Sequence, residues 1–250
     1  MLIYALINQK GGVGKTTLAV NLAAGLALRG RRALVVDLDA GAGATKSLRV
    51  DAERDVADFL LGQGAAVDYA VDVRQNLALI PSNKAATADL EYTAAVVNDA
   101  GRTLLRRRLK GAPYEYIFLD AGPGVNILNV NALRAADALV IPVLADYLSL
   151  KALAELVMDI SELRLRLGRG SVGRIVAVVP MAVHSRRRLT GEVLDILAGD
   201  FGLPVAPAVR VNCRVAEAPS YGKTVYEYDR RRAAADIDNV LDYLLKMEVR

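Results

Sequence analysis

The sequence has few of the residues that build disulfide-bonded and metal-binding proteins. It contains one cysteine, Cys213, and one histidine, His184, in 250 residues. A single cysteine excludes a disulfide within the chain and a cysteine-rich metal site, which is consistent with a reducing cytoplasm. His184 lacks partner ligands, and we interpret it as a surface loop residue.

Long hydrophobic runs are also absent. The longest apolar stretch, residues 18–28, is interrupted by Asn21 and is too short to span a bilayer. The first residues lack the charged segment of a signal peptide. No repeat, low-complexity tract or linker-like segment is visible. We therefore expect a soluble, cytoplasmic protein with one domain over residues 1–250 and no membrane partner.

The composition is that of a folded globular protein, with 53% hydrophobic and 24% charged residues. The formal net charge is only +4, but arginines cluster at residues 106–108, 186–188 and 230–232. Such clusters can bind polyanions. For any one cluster taken alone, a solvated helix face is the favoured interpretation.

Short apolar runs alternate with helix-like segments along the chain. The runs lack polar alternation, as expected for strands that are buried on both faces. This order predicts an α/β fold with one doubly wound, mostly parallel sheet and helices on both faces. The predicted strands are residues 2–7, 33–36, 77–80, 116–119, 138–143 and 175–179. Apolar spacing predicts helices around residues 150–160 and 237–245.

A glycine-rich loop follows the first predicted strand and precedes a helix-forming run. Its sequence is Gln9-Lys10-Gly11-Gly12-Val13-Gly14-Lys15-Thr16-Thr17. Glycines allow backbone N–H groups to face phosphate oxygens at a helix N-terminus. Lys15 would then face the β- and γ-phosphates, and the Thr16 hydroxyl would bind Mg²⁺. The loop predicts a site for ATP and Mg²⁺, with residues 11–17 binding the nucleotide.

Carboxylates end two of the predicted strands. Asp37 and Asp39 follow the strand at 33–36, and Asp120 follows the apolar run at 116–119. Strands of an open α/β sheet deliver ligand-binding groups at this edge. An acid at the end of an apolar strand that follows a phosphate loop is typical of a residue that holds Mg²⁺ through water.

The loop has an extra lysine, Lys10, and Gln9 stands where the usual first glycine would be. This deviant Walker A form resembles the ParA/MinD class of ATPases. The segment from Asn212 to Lys223, which contains Arg-x-x-Glu-Ala-Pro-Ser-x-Gly-Lys, resembles the ParA branch. We identify the chain as similar to the short form of the ParA family of DNA-partitioning ATPases, without an N-terminal helix-turn-helix.

The resemblance implies roles for individual residues. Lys10 would reach the phosphates of the partner in an ATP-sandwich homodimer, and with Lys15 it would act in catalysis. Asp39 would orient the attacking water and, with Thr16 and Asp120, serve the magnesium shell, while Asp37 would support that shell less directly. Asn212 and Met181 would contact adenine. The residues that follow Asp39 and Asp120 depart from the family pattern, so we expect weak intrinsic ATP hydrolysis.

The resemblance also implies partners. The dimer would bind nonspecific double-stranded DNA of the nucleoid through arginines from both chains, because phosphate contacts need no base readout. The matching positions are Arg186, Arg187, Arg188 and Arg214. A ParB-like centromere-binding protein would stimulate hydrolysis and so segregate plasmid or chromosome DNA.

Three alternatives stay open at this stage. One is a MinD-like membrane-positioning ATPase, which would use a basic amphipathic C-terminal helix. Here Asp236, Asp238 and Asp242 are expected opposite the apolar stripe of that helix, where anionic lipid would repel them. The others are a ParA-like ATPase that positions a protein cargo, and a scaffold that binds ATP without turnover.

Overall fold

The structure is a computed structural model that describes residues 1–83, 90, 103–124, 126–168, 170–184, 188–199 and 202–248, except for the side chains of residues 188–190 and 198. Its strands are β1 (Leu2–Leu6), β2 (Ala33–Asp37), β3 (Val71–Arg74), β4 (Leu77–Ile80), β5 (Tyr116–Asp120), β6 (Ala138–Leu144) and β7 (Arg174–Met181).

The helices lie mainly between the strands. Those in the first half of the chain are α1 (Lys15–Leu28), α2 (Gly43–Ser47), α3 (Val56–Leu61) and α4 (Leu104–Leu109). Then come α5 (Ile127–Ala135), α6 (Tyr147–Leu167), α7 (Arg188–Gly199), α8 (Cys213–Glu217), α9 (Val225–Tyr228) and α10 (Ala233–Glu248). Short 3-10 turns occupy Ala66–Asp68 and Ala218–Tyr221.

The strands form one seven-stranded sheet in the order β3-β4-β2-β5-β1-β6-β7. All neighbouring pairs are parallel except β3 with β4. The predicted doubly wound, mostly parallel sheet is confirmed, and the six predicted strands are present with shifts of one or two residues at their ends. The edge strand β3 was missed, because it is short and its side chains alternate between half-buried and exposed.

Alternate residues of the central strands face two separate apolar cores. In β1, Ile3 and Ala5 pack under α3 to α7, whereas Tyr4 and Leu6 pack under α1 and α10. In β5, Ile117 and Phe118 divide in the same way. A sheet buried on both faces has no polar side, which explains the unbroken apolar runs in the sequence.

The C-terminal helix α10 covers one face of the sheet. Ile237, Val240, Leu241 and Leu244 are fully buried, as the predicted stripe requires. Arg29 of α1 binds Asp238 at 3.1 Å and Asp242 at 2.6 Å, so these two acids tie the helix to α1.

The prediction that Asp236 lies on the exposed side of α10 was wrong. Asp236 is buried, and its carboxylate accepts hydrogen bonds from the backbone and the guanidinium of Arg210, the shortest at 2.7 Å. A buried carboxylate needs such partners, and the apolar spacing of the helix could not show one coming from a distant loop. Within the part of the chain that the structure describes, no helix has the length and apolar character needed to cross a bilayer.

Candidate nucleotide and magnesium site

The glycine loop connects β1 to α1 and is held at its start by Asn8. The buried Asn8 side chain donates to the carbonyl of Pro142 on β6 at 2.8 Å and accepts from the backbone N–H of Lys10 at 2.9 Å. Gly12 and Gly14 have φ of 71° and 97°, a left-handed conformation that glycine adopts without steric cost. The loop therefore takes the turn that the sequence predicts for a phosphate cradle.

Met181, at the end of β7, packs directly on this loop. A Cβ added to Gly14 would lie 2.7 Å from the Met181 Cε atom. The side chain of Met181 is buried in the same core as α1. The structure thus places Met181 beside the loop, next to the site where the sequence predicts an adenine contact.

Lys15 begins α1 and lies beneath the loop. Its side chain is buried, and its ammonium donates to the carbonyl of Lys10 at 3.1 Å. Burial lowers the pKa of the Lys15 ammonium, and the carboxylates of Asp120 and Asp39 oppose that shift. A partly desolvated cation in a loop of N–H donors is suited to phosphate oxygens.

The side chain of Lys10, unlike that of Lys15, is bound at the start of α6. Its ammonium lies 3.3 Å from a carboxylate oxygen of Asp146 and 3.0 Å from the Ser149 hydroxyl, both at the start of α6. Asp146 is also the N-cap of α6, since it accepts from the backbone N–H of Ser149 at 2.8 Å. In this structure the first lysine of the loop is therefore bound within its own chain.

Two buried carboxylates meet at the ends of adjacent strands. Asp37 of β2 and Asp120 of β5 are direct register partners, and neither is exposed to solvent. Burial raises the pKa of the Asp37 carboxyl to about 6, although hydrogen bonds from Thr45 and from the backbone of Asp39 oppose the shift. Both Asp37 oxygens accept hydrogen bonds within the loop that follows β2.

The carboxylate of Asp120 differs from that of Asp37 in its hydrogen bonding. Neither of its oxygens has a hydrogen bond of normal geometry in the described part of the chain. Burial raises the pKa of this carboxyl well above 3.8 and Asp37 adds to the shift, while the nearby Thr16 hydroxyl and Lys15 lower it. A buried carboxylate without hydrogen bonds is costly unless a cation meets it. Thr16 and Asp120 thus fit the magnesium position predicted from the sequence.

The loops after β2 and β5 approach this position closely. Asp39 accepts from the backbone N–H of Gly41 at 2.8 Å, and a Cβ on Gly122 would lie 3.4 Å from the same carboxylate oxygen. A Cβ on Gly43 would lie 2.8 Å from the Thr16 hydroxyl oxygen. The glycines allow Asp39 and Thr16 to lie near Asp120, at the edge of the sheet where β2 and β5 end.

One residue predicted to contact adenine, Asn212, and one predicted to contact DNA, Arg214, lie at the start of α8. The Asn212 carboxamide oxygen caps α8 by accepting from the backbone N–H of Arg214 at 3.0 Å. Arg214 is half exposed and forms an ion pair with Asp229 at 3.2 Å. The site roles of both residues stay predictions.

The second group of predicted DNA contacts cannot be placed in the same detail. Arg186 and Arg187 lie outside the described residues, and Arg188 begins α7 but its side chain is not described. His184 is half-buried in the loop before them. No group of three or more potential metal ligands occurs among the described histidine, cysteine and acidic residues.

Sequence reasoning missed three polar residues of this site. Thr45 and Ser82 bind the loop after β2, and Asp146 binds Lys10. The Asp146 position carries a local signal, because aspartate directly before a helix is a preferred N-cap. Ser82 has no such signal, since its partners lie about forty residues away in sequence.

Comparison with known proteins agrees with this geometry. A family model described as an AAA domain matches residues 1–170. The chain is 41% identical over 226 residues to the chromosome-partitioning ATPase Soj of Thermus thermophilus, covering 90% of this chain and 87% of that protein. It is 36% identical over 247 residues to the chromosome partitioning protein ParA of Caulobacter vibrioides, covering 93% and 89%.

Solved structures give the same fold. Apo McdA of Cyanothece superposes with a TM-score of 0.85 at 22% identity, covering 98% of this chain and 99% of that one. Cobyrinic acid a,c-diamide synthase of Mycobacterium smegmatis, with bound ADP and magnesium, gives 0.84 at 25% identity, covering 100% and 96%. With its deviant phosphate loop, its paired strand-end carboxylates and these relatives, the chain belongs to the ParA/Soj family of P-loop ATPases.

Proposed function

We propose that this chain is a DNA-partition ATPase whose residues 1–250 act as one domain and whose ATP-bound form is a homodimer. The observation that carries the proposal is that the two loop lysines have different environments. Lys15 is buried under its own loop, whereas Lys10 is one-third exposed and bound to Asp146 at the start of α6. A second cation at this position is suited to the phosphates of a facing chain.

Hydrolysis requires positioned groups rather than a covalent intermediate. Mg²⁺, when bound, neutralises charge on the transferred phosphoryl group. Thr16 and Asp120 are the residues that would hold it, Asp120 through water. Asp39 would orient the attacking water, and Lys15 would bind the β- and γ-phosphates. We expect slow turnover in the absence of an activating partner.

The DNA-binding form is the dimer. Arg214 is half exposed on α8, and a second chain would double the number of arginines that face one duplex. Each additional phosphate contact releases counterions, so affinity rises steeply when two patches act together. The partner that stimulates hydrolysis is a ParB-like centromere-binding protein, and the site of action is the nucleoid in the cytoplasm.

A binding titration tests the proposal. Duplex DNA of random sequence and anionic liposomes are titrated separately with the protein in ATP, in ADP and without nucleotide. We expect DNA binding with ATP only, weakened by salt, and no liposome binding; Lys10→Ala should lose both dimerisation and DNA binding. Binding to liposomes but not to DNA would overturn the proposal in favour of a membrane-positioning ATPase.

A further inference from the structure

A buried polar network holds the loop after β2 at both of its ends. One oxygen of the Asp37 carboxylate accepts from the backbone N–H of Asp39 at 3.2 Å. The other accepts from the backbone N–H of Thr45 at 2.9 Å and from its hydroxyl at 2.7 Å. The Asp37 carboxylate therefore holds the two ends of the segment 37–45 together by hydrogen bonds.

The network continues to a second strand. The Thr45 hydroxyl oxygen also accepts from the backbone N–H of Ser82, just after β4, at 2.9 Å. The Ser82 hydroxyl then donates to the carbonyl of Asp39 at 2.8 Å. Both side chains are buried, so water cannot replace these bonds without rearrangement. The chain Asp37, Thr45, Ser82 and Asp39 is thus a closed circuit of hydrogen bonds.

The circuit fixes the backbone of Asp39 rather than its carboxylate. The N–H of Asp39 binds Asp37, and its carbonyl accepts from both Ser82 and the N–H of Ala42. The carboxylate itself accepts from Gly41 N–H and lies against Gly122. Its position over the Thr16 and Asp120 pair is therefore set by the backbone anchors.

We infer that Thr45 and Ser82 are positioning residues for ATP hydrolysis, which hold Asp39 where it can orient the attacking water. The hydroxyls of Thr45 and Ser82 donate to Asp37 and Asp39, so we assign both residues a positioning role rather than a catalytic one. The inference rests on the proposed function of Asp39. Ser82, which follows β4, would then influence the turnover rate from the side of β2 that lies away from the phosphate loop.

The test uses the full chain and matched single variants. Ser82→Ala removes the hydroxyl that donates to Asp39, and Thr45→Val removes the hydroxyl that bridges Asp37 and Ser82, whereas Thr45→Ser keeps that bridge. Ser171→Ala is the control, because Ser171 makes an equivalent hydroxyl-to-carbonyl bond to Gly168 on an exposed turn. For each variant, kcat and KM for ATP, thermal stability, and hydrogen–deuterium exchange of residues 38–46 without nucleotide are measured.

We expect Ser82→Ala and Thr45→Val to lower kcat roughly tenfold or more, because a small misplacement of a positioning group has effects of that size. KM should change by no more than about twofold, because the nucleotide loop is untouched. Exchange at residues 38–46 should rise in both variants, while Thr45→Ser and Ser171→Ala should behave as wild type.

Wild-type kcat with unchanged exchange in Ser82→Ala would overturn the inference, and so would a raised KM with unchanged kcat. If Thr45→Val fails to fold, Ser82→Ala and Thr45→Ser still decide the question. A wild-type protein without ATPase activity, or an unaffected Asp39→Ala variant, would instead overturn the proposed function. The nucleotide-free exchange data would still test the anchoring of the loop.

Discussion

At the scale of single residues, the phosphate loop shows why glycine is required at one position more than at another. Gly14 combines a φ of 97° with the Met181 methyl 2.7 Å from where its Cβ would lie. Gly11 has no atom within 4 Å of such a Cβ. The same methyl group would therefore have different consequences at two positions of one loop.

We expect Gly14→Ala to lower the free energy of unfolding by about 2 kcal/mol or more, from a left-handed alanine and an overlap with a packed side chain. Gly11→Ala should change it by less than about 0.5 kcal/mol. Urea denaturation without nucleotide measures both, so that lost ATP binding does not contribute. Equal losses in the two variants would contradict both the left-handed backbone of Gly14 and its contact with Met181.

Asp37 gives a pH dependence opposite to that of most carboxylates. Its folded-state pKa is about 6 against an ordinary value of 3.8, so the folded protein binds this proton more tightly than the unfolded chain does. The resulting stabilisation is present below 3.8 and is lost as pH rises through 6. The shift of about two pKa units corresponds to roughly 3 kcal/mol at most.

The measurement compares wild type with Asp37→Asn in magnesium-free buffer across this range. Wild type should lose unfolding free energy relative to the variant as pH rises from about 4 to about 7, because Asp37 ionises in wild type only, whereas the buried Asp120 is present in both proteins. A constant difference between the two proteins would show that the Asp37 pKa is not raised.

At the scale of secondary structure elements, α10 covers one face of the sheet. Its apolar stripe is buried against the core that contains β1 and α1, and two of its acids, Asp238 and Asp242, are paired with Arg29. A helix used in this way cannot insert into lipid without exposing the sheet.

Two neighbouring leucines of α10 test this arrangement. Leu244 is buried, whereas Leu245 is only partly buried. We expect Leu244→Ala to cost about 2–5 kcal/mol of unfolding free energy, and Leu245→Ala roughly half of that or less. Chemical denaturation of both variants provides the comparison. A larger cost at Leu245 would mean that the helix is rotated from the orientation seen here.

The elements also show what could be predicted from the sequence. Strands buried on both faces gave unbroken apolar runs, so β1, β2 and β4 to β7 could be located. The loop lysines and strand-end acids followed from local chemistry. Asp236 and Ser82 could not be predicted, because their partners Arg210 and Asp39 lie far along the chain and only the fold brings them together.

At the scale of the whole molecule, the ion pair between Lys10 and Asp146 would compete with the proposed dimerisation. If Lys10 serves a facing chain, it must first leave Asp146 and Ser149. The pair is partly exposed, so it should contribute about 0.2–1 kcal/mol to the monomer. Any such contribution opposes the dimer.

Asp146→Asn should therefore tighten the dimer formed with a nonhydrolysable ATP analogue, by up to about thirtyfold, because each of the two chains would otherwise have to release one such pair. Asparagine keeps the N-cap of α6, so the helix itself should be unaffected. Analytical ultracentrifugation measures the dimer dissociation constant. Glu162→Gln, which breaks the exposed pair with Arg166 on the same helix, is the control. A weaker dimer in Asp146→Asn would show that Asp146 supports the interface.

The single thiol gives this protein a built-in attachment point for a spectroscopic label. Cys213 is exposed at the start of α8, between the residue predicted to contact adenine and the arginine predicted to contact DNA. Because the chain has no other cysteine, a maleimide dye would attach at one defined atom without mutagenesis. Fluorescence from one labelled preparation could then follow nucleotide exchange and duplex release in real time, in the same cuvette.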